Sequence, residues 1–278
     1  MENRESIEEF AGKLGLTREE IRLAEEVLPG GPEYQGWRAR FYQDPRRCVR
    51  ALEGRADAPA FFLALYVRMA YDLYPVYRYK GIPDQVYYDT FSDIALWAAA
   101  YRERTGACGL QESEWLIWHL TLRLFRLGRL QFQTDSLESA RTLAGVTFPA
   151  GTPYLQVHIP AGSPLLREEC EASYRQAMAF FRGTAPLFAC HSWLLSPKLS
   201  DLLPPDSRIL QFAAKYQVVE EFWEDRSAEE RVFGRLAGSP EEYPEKTFLQ
   251  RRMKEYLRSG KRVPAALGMF CLPLEETP

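Results

Sequence analysis

Up to Leu127 the apolar residues recur at three- and four-residue intervals; from Gly128 onward they begin to alternate with polar ones. The first pattern is that of helices and the second that of strands. "TREEIRLAEEVL" (17–28) opens on a capping box of Thr17 with Glu20 and stops at Pro29-Gly30-Gly31. "YQGWRARFYQDPRRCVRAL" follows and is interrupted at Asp44-Pro45, because the residue before a proline avoids the helical region. Residues 59–79 are apolar nearly all round, which predicts a helix at the centre of a bundle. Two more helices are predicted, 83–104 starting on Pro83 and stopping before Gly106, and 113–127 running from Ser113 to Gly128.

In "GRLQFQ" Leu130 and Phe132 share one face, with Arg129, Gln131 and Gln133 on the other. After a loop with Pro149, Gly151 and Pro153, "YLQVHIP" (154–160) is predicted as the partner strand. Residues 163–183 predict a helix with Ser163 as N-cap and Pro164 at its first position. Strands are then predicted at 187–195, 207–223 and 230–235, a short helical turn at "SPKLSDLL", a helix at 245–260 and a last strand in "PAALGMFCLPL". This order implies an α+β protein: an all-helical N-terminal domain (1–127) packed on a mixed β-sheet domain with covering helices (128–278).

Composition narrows the function more than the fold. With 46% apolar and 26% charged residues in 278, the chain is that of a folded soluble protein. A net charge of −3 argues against a nucleic-acid partner. The acidic N-terminus has no apolar core, so no secretory signal is read there, and Arg68 interrupts the most apolar run, so no membrane span is expected. Five scattered cysteines without a CxxC pair suggest neither a zinc site nor a disulfide framework, and a cytoplasmic location follows.

The segments "LGRLQF", "VHIPAGSPL", "CHSWLL", "LPPDSRILQFAAKY" and "TFLQRR" closely resemble a bacterial family of two-domain proteins described as containing an acyltransferase domain. Its members join a helical N-terminal domain to a C-terminal domain similar to the GNAT (GCN5-related N-acetyltransferase) fold. The resemblance implies transfer of an acyl group from acetyl-CoA or another acyl-CoA to an amine of a small molecule or peptide, with no metal, no nucleic acid and no membrane. It also implies backbone amides cradling a pyrophosphate before a helix, an exposed strand edge for the pantetheine and a base for the incoming ammonium.

Arg231-Val-Phe-Gly234-Arg235-Leu236 is the nearest match to the phosphate signature Arg/Gln-x-x-Gly-x-Gly/Ala, with Leu236 in place of the small residue. Thr247, Gln250 and Arg251, at the start of the last helix, are the other candidate CoA contacts. Residues 245–262 hold seven basic residues against two acidic ones, a patch suited to phosphates or simply a solvated helix face. His191 is the candidate base. Strand alternation places Trp193 beside it as a wall, and Ser192 joins them only if a bulge turns it to the same side. Arg129 and Gln131 are candidate substrate contacts. Three other readings stay open: His191 as a satisfied core histidine, a scaffold or ligand-binding protein on a degenerate acyltransferase fold, and a Cys190 hydrolase completed by His119 or His158.

Overall fold

The chain divides into two units, Met1–Leu127 with Pro160–Gly162, and Gly128–Ile159 with Ser163–Pro278. The computed structural model describes residues 5–27, 30–143, 145–182 and 187–272. In the first unit the helix boundaries follow from capping residues. α1 (Ile7–Leu14) starts on a capping box of Ser6 and Glu9 and closes on a left-handed Gly15. α2 (Arg18–Val27) carries the predicted box: Glu20 N–H donates to Thr17 Oγ1 at 3.3 Å and Thr17 N–H to Glu20 Oε2 at 2.8 Å. Its predicted end at Leu28-Pro29 lies outside the described residues. α3 (Gly31–Gln43) and α4 (Pro45–Glu53) meet at Asp44, which ends one and caps the other.

α5 (Ala58–Tyr79) is the central helix, with Leu63, Leu65, Tyr66 and Ala70 fully buried. The buried Tyr66 hydroxyl donates to Ser113 O, and that of Tyr87 to Ala70 O. These tyrosines thereby fill the bundle with their own hydroxyls matched. α6 (Asp84–Thr105) and α7 (Ser113–Leu120) follow. The predicted helix 113–127 is corrected here, because it ends at Leu120 and residues Leu124–Leu127 form strand β1. Leu122 takes a left-handed conformation (φ 55°), and Arg123 N–H reaches back to Trp118 O at 2.9 Å, which closes the helix. The Arg126 amide then donates to the buried Thr90 hydroxyl on α6. Among the described residues no helix is long and apolar enough to cross a membrane.

The second unit holds β2 (Leu130–Ser136), a small hairpin of β3 (Arg141–Leu143) and β4 (Val146–Phe148), β5 (Pro153–His158), α8 (Arg167–Phe180), β6 (Leu187–Ser192), α9 (Arg208–Ala213), β7 (Gln217–Phe222), α10 (Ser227–Phe233), α11 (Phe248–Arg258) and β8 (Ala265–Cys271). Its sheet runs β2-β5-β6-β8-β7, and β5–β6 is parallel with α8 as the crossover. One face carries Phe132, Phe188 and Phe270 against Tyr174 of α8; Phe188 and Phe270 stack at 4.9 Å. The other face carries Leu187, Ala189 and Met269, covered by Leu143 and Phe148 of the hairpin. At Gly268 a side chain would meet Leu195 and the Tyr216 Cβ at 2.8 Å, so the glycine lets both settle on the sheet.

Three predictions between the strands of this unit are corrected. Residues 207–223 begin as α9, capped by the Ser207 hydroxyl, and become strand only from Gln217. Of residues 230–235, Glu230–Phe233 are the end of α10 and Gly234 is its cap. The loop predicted between "GRLQFQ" and "YLQVHIP" contains the β3–β4 hairpin. The helix predicted from Ser163 starts four residues later, at Arg167, because the Ser163 and Pro164 carbonyls accept from the Arg129 guanidinium at 2.6 and 3.0 Å. Its predicted end at Gly183, like residues 273–274 of the last predicted strand, falls outside the described residues.

Candidate active site

Among the described residues, strands β5 and β6 pair at Leu155↔Phe188 and Gln156↔Ala189 alone. Each nevertheless continues upward, held on its far edge by an antiparallel neighbour: Gln131↔His158 on one side, His191↔Leu267 and Ser192↔Ala266 on the other. The two parallel strands therefore splay at their C-terminal ends, and the β6 edge from Cys190 to Ser192 faces the opening. The chain leaves β5 there and enters α8, whose N-cap Leu166 makes no side-chain capping bond. Its first-turn amides point toward the same end of the sheet. The carboxyl ends of parallel strands beside a helix N-terminus are where α/β sheets bind ligands, and anions in particular.

His191 stands on this rim. Its side chain is 42% exposed, its ring lies edge-on to Phe222 at 4.7 Å, and Nε2 is 3.8 Å from Asp225 Oδ2. Asp225 is itself held by the start of α10, where Ser227 N–H donates to Oδ1 at 2.7 Å. The contact is an electrostatic one, too long for a hydrogen bond. Register puts Gln131, His158, Gln133, Gln156 and His191 on one face of the sheet, opposite the face covered by α8. Glu220 shares a row with His191 across β8 and is exposed. Asp225 and Phe222 carry no motif, and only the fold brings them to His191.

Gln131 lies on that polar face at 1% exposure, and its Nε2 has no hydrogen-bond partner among the described residues. Arg129 acts differently. Besides holding the Ser163 and Pro164 carbonyls, it donates its amide to the Ser173 hydroxyl at 2.8 Å, which fastens the start of β2 both to α8 and to the loop that enters it. The β6 register is continuous to Ser192, so no bulge turns Ser192 toward His191. Ser192 accepts from Leu194 N–H and caps a 3-10 turn, Trp193–Leu195. The expected alternation ends there. Trp193 packs instead against a cluster around Leu199, Phe233 and Tyr243.

The phosphate-loop expectation is overturned by geometry. Arg231 lies in the last turn of α10 and Gly234 is its left-handed cap (φ 75°), so this stretch presents the carbonyl end of a helix, unfavourable for a phosphate. Arg235 donates to Glu242 O. Thr247 and Gln250 form the capping box of α11, and the Gln250 side-chain amide also donates to Val232 O. Arg251 donates to the carbonyls of Glu245 and Lys246. The basic stretch is partly neutralised: Lys254 and Arg258 pair with Glu245 and Glu241, Arg252 with Glu255, and Arg262 with Glu224.

Burial removes the cysteine reading. Cys190 is 1% exposed on the α8 face, and desolvation pushes its thiol up to about 12. His119 pairs with Asp93 inside the helical unit, 3.0 Å away and buried. An alkylating reagent at pH 7 is expected to leave Cys190 unmodified until the protein is unfolded, as read by mass spectrometry of its peptide. Rapid labelling of the folded protein would restore a thiol nucleophile.

A splayed parallel pair beside a helix N-terminus, with a histidine on the rim, also agrees with similarity to known proteins. The pattern of an N-acyltransferase N-terminal domain matches residues 5–122, and that of a GNAT-like C-terminal domain matches residues 124–270. The protein is an acyltransferase. It belongs to the family that carries the GNAT-like C-terminal domain. Among solved structures it is similar to an acyltransferase in complex with decanoyl-CoA and teicoplanin, with 25% identity, a TM-score of 0.76, and coverage of 95% of this chain and 87% of that one. It is similar also to an acyltransferase in complex with CoA and 10C-teicoplanin, at 24% identity and a TM-score of 0.76, covering 97% and 88%. No curated protein matches the chain.

Proposed function

We propose that the protein transfers an acyl group from acyl-CoA to an amine of a small molecule or peptide, with the thioester laid in the β5–β6 splay and His191 as base. The observation that carries this reading is the parting of β5 and β6 after Gln156 and Ala189 beside the α8 N-terminus. The β6 edge offers backbone groups to the pantetheine amides, and the α8 amides suit the pyrophosphate. The amine approaches from the polar face, where the His191 imidazole takes the ammonium proton, directly or through one water. The amine nitrogen then attacks the thioester carbonyl; a C–N bond forms, the C–S bond breaks, the second proton leaving the nitrogen passes to the departing CoA thiolate, and the proton held by His191 is released to solvent.

Thermal unfolding with acetyl-CoA, octanoyl-CoA, decanoyl-CoA and free CoA tests the donor. A ligand at about 100 times its Kd stabilises the fold by about 2.7 kcal/mol, a rise in Tm of several degrees. The solved relatives hold decanoyl-CoA, which makes a long acyl chain the first donor to try. Absence of any shift at millimolar ligand would overturn the proposal.

A further inference from the structure

The Asp225 carboxylate, 3.8 Å from His191 Nε2, stands on the turn that leads from β7 into α10. Two bonds give this turn its shape: Asp225 N–H donates to Phe222 O at 3.3 Å, and Oδ1 accepts from Ser227 N–H at 2.7 Å. Both lie within residues 222–227, so they shape the turn without fixing where α10 stands.

Arg226, the next residue, ties that end of α10 to a distant stretch of chain. Its guanidinium takes Glu229 of the same helix through contacts of 2.9 and 2.6 Å. Nη2 also meets Ala237 O at 3.0 Å and the Tyr243 hydroxyl at 3.1 Å. That hydroxyl is used to its full capacity: it donates to Glu229 Oε2 at 2.7 Å, and accepts from Ala237 N–H at 3.0 Å and from Arg226. Tyr243 is itself held from both sides. Its buried ring stacks on Phe233 of α10 at 4.0 Å and 9°, and its carbonyl accepts from the buried Lys254 ammonium of α11 at 2.7 Å.

The chain that leaves His191 ends on the same cluster. Trp193, two residues on, packs against the group that contains Phe233 and Tyr243. Histidine and carboxylate thus come from different strands, β6 and the end of β7, and neighbours of both are secured at one place. We infer that Tyr243, with Glu229 and Arg226, is a positioning residue of the active site, holding Asp225 against His191. It acts through the start of α10, as outer residues do when they fix the geometry of an inner pair. The role rests on the reading of His191 as base, and it names what keeps the carboxylate in line with the imidazole.

The chain has three histidines, so their imidazole C2–H signals in proton NMR of the full chain can be assigned, His191 by the signal lost in His191→Ala. Asp225→Asn is expected to move the His191 signal, and Tyr243→Phe to move it the same way by a smaller amount. Phenylalanine keeps the ring against Phe233 and the Trp193 cluster, so only the bonds of the hydroxyl are lost. Glu229→Gln, which keeps the side chain's size and breaks the paired contact with Arg226, is expected to act like Tyr243→Phe. In the Asp225→Asn background neither change is expected to add a shift, because groups that act through one partner are not additive. The His119 and His158 signals are expected to stay in place, which a general loosening of the fold would not allow. A His191 signal unmoved by Asp225→Asn, unmoved by both outer variants, or shifted equally with and without Asp225 would overturn the positioning role and leave the base reading standing. Full turnover by His191→Ala would overturn the base reading, and the positioning role with it.

Discussion

His191→Ala is expected to lower kcat by about 10²–10⁴-fold, the usual contribution of a positioned general base. Binding of the acyl-CoA is expected to stay unchanged, because the imidazole lies on the face opposite α8. Steady-state kinetics with a thioester donor, together with the thermal shift given by the donor alone, separate the two effects. Asp225→Asn removes the carboxylate 3.8 Å from Nε2 but leaves the ring edge-on to Phe222. Its expected cost is about tenfold in kcat, as for groups that orient a catalytic residue without touching substrate. If His191→Ala keeps full activity, the histidine is only a rim residue of the sheet, and Glu220 in the same row becomes the next candidate base.

The largest loss of stability is expected from Phe188→Ala. Phe188 is fully buried, stacks on Phe270 at 4.9 Å with an interplanar angle of 7°, and meets Tyr174 edge-on at 5.2 Å. Truncation removes a large apolar surface and leaves a cavity between sheet and α8, at a cost of about 3–5 kcal/mol. Near the midpoint this corresponds to a fall in Tm of roughly 6–20 °C. Calorimetry would show it, and urea unfolding would show an earlier midpoint. A loss below about 1 kcal/mol would mean that α8 closes onto the sheet and refills the space.

The helical half was readable because its boundaries are written in local chemistry. Thr17 with Glu20, Asp44 before Pro45, and Gly106 each end or begin a helix through a bond to a near neighbour. The errors came where the deciding partner is distant. Nothing near Ser163 says that its carbonyl serves Arg129, 34 residues earlier, and so delays the helix. "SRILQF" and "ERVFG" are as apolar as strands, yet Ser207 caps one as a helix and Gly234 closes the other. Apolar richness alone does not separate short helices from short strands.

The site was legible only in part, for the same reason. His191 stood out as a rare residue in an apolar strand, whereas Asp225 and Phe222 reach it through the β6–β8–β7 register. The phosphate signature at Arg231–Leu236 misled because a motif's meaning depends on which end of a helix it occupies. The basic stretch 245–262 carries less free charge than its composition suggests, because Glu241 and Glu224 from outside it join Glu245 and Glu255 in pairing its cations.

The burial of Cys190 bears on side reactions. A thioester held at an active site acylates any thiolate within reach, and thiols outcompete amines for this electrophile at neutral pH. Cys190 is the immediate neighbour of the proposed base, yet at a pKa of about 12 only about one part in 10⁵ of it is ionised at pH 7. Cys48, Cys108, Cys170 and Cys271 are also pushed above the ordinary thiol value by desolvation. The protein can therefore present a reactive acyl donor to an amine without becoming the acceptor itself.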